Sequence, residues 1–98
     1  MEAQIDVSKQ HHLDQNEINR CVELIAKEFE SDWNVEWEWT TTQLVSFKAQ
    51  KGLARGVRGE IFVSRETVRV RMSLPLMLIS LRKTIAREVE RVLGEQIG

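Results

Sequence analysis

Tyrosine is absent from this chain, and cysteine and proline occur once each, at Cys21 and Pro75. A lone thiol cannot close an internal disulfide, so the fold must rest on its apolar core. Long hydrophobic runs are missing too. Nothing approaches the ~18 uninterrupted apolar residues of a transmembrane helix, so any contact with lipid would be peripheral. Residues 1–15 are polar, contain both histidines and lack the charged-then-apolar pattern of a secretory signal, which leads us to expect a cytoplasmic protein. His11 and His12 have no further Cys, His or Asp at ligand spacing, so no metal is expected and both histidines read as part of a solvated turn. Cys21 falls on the apolar side of a helical pattern with nothing to mark a base or oxyanion donors beside it, so no catalytic residue is expected. Glycine is scarce, and Gly52, Gly56 and Gly59 share one segment. Their spacing fits neither phosphate-loop pattern and leads into a strand, which predicts a turn with a bulge and no cofactor site.

What the chain does have is alternation. In residues 33–40, Trp33, Val35, Trp37 and Trp39 form one face and Asn34, Glu36, Glu38 and Thr40 the other. In residues 67–74, Val68, Val70, Met72 and Leu74 face inward, opposite Arg69 and Arg71. A period of two marks half-buried strands of an antiparallel sheet with one wet face. Residues 44–49 (Val45, Phe47, Ala49) and 60–64 (Ile61, Val63) add two more strands, the first in a hairpin with the Trp-rich run.

Two helices are predicted. Asp14, with Glu17 three residues on, opens the first as a capping box, and Ile18, Cys21, Val22, Ile25, Ala26 and Phe29 keep a helical stripe to about residue 31. The second runs from about Leu76, just after Pro75, to Leu93, with Gly94 as its stop and Leu78, Leu81, Ile85, Val89 and Val92 as its stripe. Residues 1–12 show alternation only at Ile5 and Val7, and read as loose or as a short edge strand. The expected architecture is therefore one α+β domain in the order α-β-β-β-β-α, a four-stranded antiparallel meander with two helices packed on one face.

Charge is divided along the chain. Residues 1–47 hold ten acids against three bases, and residues 48–98 hold eleven bases against five acids. Either the two halves face each other, within the fold or across a dimer, or the basic half meets an anionic partner. Nucleic acid is not expected: the basic strand lacks exposed aromatics for base stacking, and the pI is near 6.1. The best partner surface is apolar. From Leu74 to Leu81 only Ser80 is polar, and a helix that turns Leu78 and Leu81 inward must leave Leu76, Met77 or Ile79 uncovered. With Arg69 and Arg71 these form the candidate partner surface. The three tryptophans read as core, or alternatively as the lining of a site for a hydrophobic ligand.

The succession of His12-Leu13, Ile25-Ala26, Trp37, Leu44 to Phe47, Gly56-Val57-Arg58-Gly59-Glu60-Ile61-Phe62-Val63, Val68-Arg69-Val70, Leu74-Pro75 and Ile85 resembles the small proteins of the polyhydroxyalkanoate-system family. That resemblance spans about residues 5–93 and rests on structural motifs, with no catalytic signature to carry over. It implies a bacterial cytoplasmic protein linked to polyhydroxyalkanoate granules or granule proteins. The function expected is thus non-enzymatic and granule-associated. Two rivals stay open: a homodimeric interaction module, and a small hydrophobic-ligand carrier or enzyme using the Trp-lined end of the sheet.

Overall fold

A computed structural model describes residues 4–97. Their order is β1 (Ile5–Gln10), α1 (Gln15–Trp33), β2 (Glu36–Thr41), β3 (Leu44–Lys48), β4 (Arg58–Val63), β5 (Thr67–Ser73), a 3-10 segment (Leu76–Leu81) and α2 (Arg82–Ile97). The α+β class, the antiparallel sheet and the two helices agree with the sequence. The sheet differs in having five strands, and the order is β-α-β-β-β-β-α, not α-β-β-β-β-α.

Across the sheet the strands run β1-β5-β4-β3-β2, every neighbour antiparallel. The expected meander is β2 to β5. β1 returns to the outside of β5, in register from Ile5 opposite Met72 to Gln10 opposite Thr67. Two alternating apolar residues are too few to distinguish a strand from a loop by period. What orders β1 is its partner, the backbone edge of β5, together with burial of Ile5.

Asp14 caps α1, its carboxylate accepting the Glu17 N–H at 2.9 Å. Ile18, Val22, Ile25, Ala26 and Phe29 are buried. A fully buried aliphatic or aromatic side chain stabilises by about 1.5–3 kcal/mol, and a cap by about 1, so the stripe is what holds α1 to the sheet. The helix extends past residue 31 and takes in Trp33, which the alternation had assigned to a strand. Trp33 stacks on Phe29 one turn earlier, ring centroids 4.9 Å apart, and Phe29 in turn meets Phe47 at 5.4 Å. Asn34, in the left-handed region at φ 58°, then ends the helix and donates its N–H to the Glu30 carbonyl at 2.9 Å.

The C-terminal segment departs most from its predicted form. After Pro75 the chain makes 3-10 turns, and the α-helix starts only at Arg82. A 3-10 helix repeats every 3.0 residues and an α-helix every 3.6, so over six residues the phases drift apart by about 120°. The predicted stripe therefore breaks: Leu81 is exposed, and Val89, Val92 and Leu93 are the buried residues of α2. Nor does Gly94 stop the helix. It stands in open space, and the helix continues to Ile97, which packs against the core. That burial outweighs the cost of about 1 kcal/mol for a helical glycine.

Both helices cover the face formed by Ile5, Val45, Phe47, Ile61, Val63, Val68, Val70 and Met72, with α2 over β1 and α1 over β2 and β4. Gly59 is required within this core. A Cβ there would lie 2.5 Å from both the Arg71 carbonyl oxygen and the Phe47 ring. We expect Gly59→Ala to destabilise the protein by roughly 1–3 kcal/mol through overpacking, measured by urea unfolding. An unchanged midpoint would show that both the Phe47 ring and the β5 backbone at Arg71 can move aside freely.

Candidate functional site: an open charged face and an apolar corner

The sheet face away from the helices is a two-signed charge array. Its register places Asp6, Arg71, Glu60, Ser46 and Glu38 in one row across the strands, and Ser73, Arg58, Lys48 and Glu36 in the next. Glu36, Glu38, Arg69 and Arg71 all lie on this face, as the alternation requires. Glu36, Glu38, Lys48, Arg58, Glu60 and Arg71 line an open groove on it.

β1 changes the electrostatics that the sequence suggested. In a four-stranded meander the basic strand would be an edge, with its arginines far from the acids of the chain's first half. Instead β5 is flanked by β1 and β4. Arg69 grips Asp6 with two bonds, Nε to Oδ1 at 2.8 Å and Nη2 to Oδ2 at 2.5 Å. The Arg69 guanidinium holds the Asp6 carboxyl below its ordinary value of 3.8, against a smaller upward push from burial. Arg71 Nε lies 3.9 Å from the same carboxylate, is itself buried and has no hydrogen-bond partner among the described residues. Much of the split charge along the chain therefore interleaves within the fold.

The apolar corner follows directly from β5. Leu76 and Met77 are 87% and 89% exposed, and Ile79 and Leu81 are exposed as well. Only Leu78 of the early 3-10 turns packs against the core; its N–H is fixed to the Pro75 carbonyl at 2.9 Å. The five candidate residues thus separate into two patches: Leu76, Met77 and Ile79 share the corner, while Arg69 and Arg71 belong to the open face. Sequence reasoning missed Leu53, which is 99% exposed in the glycine-bearing loop. It also turned Leu81 inward. A lone leucine between Gly52 and Gly56 carries no periodic signal by which to find it.

His11 does not lie in a solvated turn. It is 4% exposed, its Nδ1 accepts the Leu13 N–H at 3.1 Å, and Nε2 meets the Ser64 carbonyl at 2.9 Å. Because Nδ1 accepts, the proton sits on Nε2 and donates to Ser64, so a neutral imidazole ties the end of β1 to the β4–β5 turn. His12 is exposed. Cys21 is half-buried; burial, and then the nearby Glu17 charge, push its thiol above the ordinary value of 9.0 and keep it protonated at neutral pH. The tryptophans close the seam between α1 and β2. Trp37 Nε1–H donates to Glu30 Oε1 and Trp39 Nε1–H to Glu23 Oε2, each at 2.9 Å. Among the described residues no group of three or more His, Cys, Asp or Glu is placed to hold a metal ion. No helix among them is long and apolar enough to cross a membrane.

The fold and surface define an α+β protein with a helix-covered sheet, a charged open face and one exposed apolar corner. Residues 5–97 match the model of a family described as "putative polyhydroxyalkanoic acid system protein", and the chain belongs to that family. No curated protein matches the chain.

Two outcomes follow from the geometry. His11→Ala should cost roughly 1–3 kcal/mol in chemical unfolding, because it removes a buried ring together with its bonds to the Ser64 carbonyl and the Leu13 N–H; His12→Ala should be nearly silent. The Asp6–Arg69 pair contributes above the ordinary carboxyl value of 3.8 and its contribution fades as pH falls through the lowered folded value. Asp6→Asn should accordingly lower Tm at pH 7 and converge with the parent well below pH 3.8. A constant Tm difference across that range would mean that the carboxylate charge is not what matters.

Proposed function

We propose that this protein is a non-enzymatic, cytoplasmic granule-associated binding protein of the polyhydroxyalkanoic acid system, and that it docks on the hydrophobic granule surface through its apolar corner. The observation that carries this reading is the exposure of Leu76 and Met77, at 87% and 89%, beside Ile79 and Leu81 on an otherwise strongly charged molecule. Large apolar side chains gathered on one short segment gain by leaving water, and a polyester surface offers them an apolar phase without requiring a shaped pocket. Family membership supports a polyester as that phase. The indoles support the carrier alternative less, since two are tied to α1 carboxylates and the third is stacked on Phe29.

Because Leu76 and Met77 are solvent-exposed, replacing them should leave folding unchanged. Burying two such side chains is worth roughly 3–6 kcal/mol, so Leu76→Asp with Met77→Asp should weaken binding to purified granules by about 100-fold or more. Co-sedimentation measures this directly. Equal binding by the double variant and the parent would show that the corner is not the docking site. Arg69 is left out of this surface because Asp6 occupies it. Arg69→Glu should therefore loosen β1, visible as faster amide exchange there, with granule affinity kept.

A further inference from the structure

We infer that the corner is one half of a two-pronged, cation-flanked tip that takes a surface of anionic lipid. The inference deepens the granule reading and rests on the same apolar corner.

The second prong is the loop between β3 and β4. It folds back on itself: Ala49 N–H donates to the Val57 carbonyl at 2.8 Å, Gly56 N–H to the Ala49 carbonyl at 2.9 Å and Arg55 N–H to the Gly52 carbonyl at 3.2 Å. Gly56, at φ +97°, lies against Pro75, where an added Cβ would come within 3.1 Å of the proline ring. This contact brings residues 52–56 to the same end of the molecule as the turn that launches Leu76 and Met77. Leu53, 99% exposed, thus joins them as a third protruding side chain from a distant part of the sequence.

Three cations flank these tips. Arg55 sits beside Leu53, and Arg82 and Lys83 follow Leu81 directly; all three are exposed, and none is in an ion pair among the described residues. No acid occurs between Glu38 and Glu60, nor between Glu66 and Glu88. Lys51 is set apart from this group because it lines a groove with Glu30 and Glu36. Apolar side chains that enter an acyl layer while cations meet the headgroups form the pattern of peripheral lipid binding. The chemistry disfavours the other occupants. A second copy would bring Arg55, Arg82 and Lys83 against themselves, and a rigid protein partner would need a concave fit to side chains that stand almost free of their neighbours. A bare polyester would make no use of the cations.

Flotation with vesicles of phosphatidylcholine alone, and with 30 mol% phosphatidylglycerol, tests the inference beside amorphous polyester particles without lipid. The intact chain should bind anionic vesicles at least about tenfold more tightly than neutral ones at low salt, and lose that preference at high salt. Arg55→Gln with Arg82→Gln and Lys83→Gln should abolish the preference and leave polyester binding intact. Leu53→Asp should weaken vesicle binding at any salt. All four residues are exposed, and an unchanged circular dichroism melt confirms folding. Equal binding to both vesicle types, or a triple variant that keeps the preference, overturns the lipid inference and leaves the granule reading standing. Oligomers that bury Leu53 and Met77 in solution, shown by light scattering and protection from exchange, overturn it as well. Anionic vesicle binding without any polyester binding overturns the granule reading alone.

Discussion

The pairing of β1 with β5 is the contact on which the rest of this structure depends. It gives β5 two neighbours, supplies the strand beneath α2 and carries Asp6 to Arg69. The gain is largest where water is already excluded. Ile5 is buried, and at the far end of the strand His11 is enclosed with both ring nitrogens bonded, tying the start of the chain to the β4–β5 turn. Without β1, the arginine-bearing strand β5 would present a free edge of backbone groups, and α2 would lose the surface it packs on.

The consequence for function is that most of the charge is internal business. The rows on the open face mix both signs on strands drawn from both halves of the chain, so the acid-rich and base-rich halves meet in one sheet. Electrostatics of this kind set register and solubility more than they advertise a ligand. The surface that stays unbalanced is elsewhere, at the end where the β3–β4 loop leans on Pro75 and the 3-10 turns begin. There, among the described residues, Leu76 and Met77 stand uncovered and Arg55, Arg82 and Lys83 enter no ion pair. The docking role proposed above falls at that end, and the stability role at β1.

Membership of the polyhydroxyalkanoic acid system family fits such a division of labour. A small protein that acts at a surface needs a core able to stand alone and a tip that core packing does not consume. The core here is built from α1, the inner sheet face and the C-terminal half of α2. Of the six residues before α2 Leu78 still packs on that core, and the tighter helix turns Leu76, Met77, Ile79 and Leu81 out of phase with it. The tryptophans, which the sequence offers as core or alternatively as the lining of a ligand site, pack against the core at the seam between α1 and β2.

Local pattern was sufficient for α1 and its Asp14 cap, for the four meander strands, and for which face of each is wet. Periodicity and side-chain polarity act within a few residues, and burying Glu36, Glu38, Arg69 and Arg71 together would be prohibitive. Leu76, Met77 and Ile79 were legible as uncovered for a similar reason: a run apolar all round cannot hide every side. Pairings distant in sequence have no such local signature. Tertiary contact alone made a strand of residues 5–10, enclosed His11, claimed Trp33 for α1 through Phe29, and changed the turn of residues 76–81 so that Leu81 faces water. It alone brought the loop that carries Leu53 against Pro75, because the approach of Gly56 to that proline depends on where two separate strands end, which no window of sequence contains.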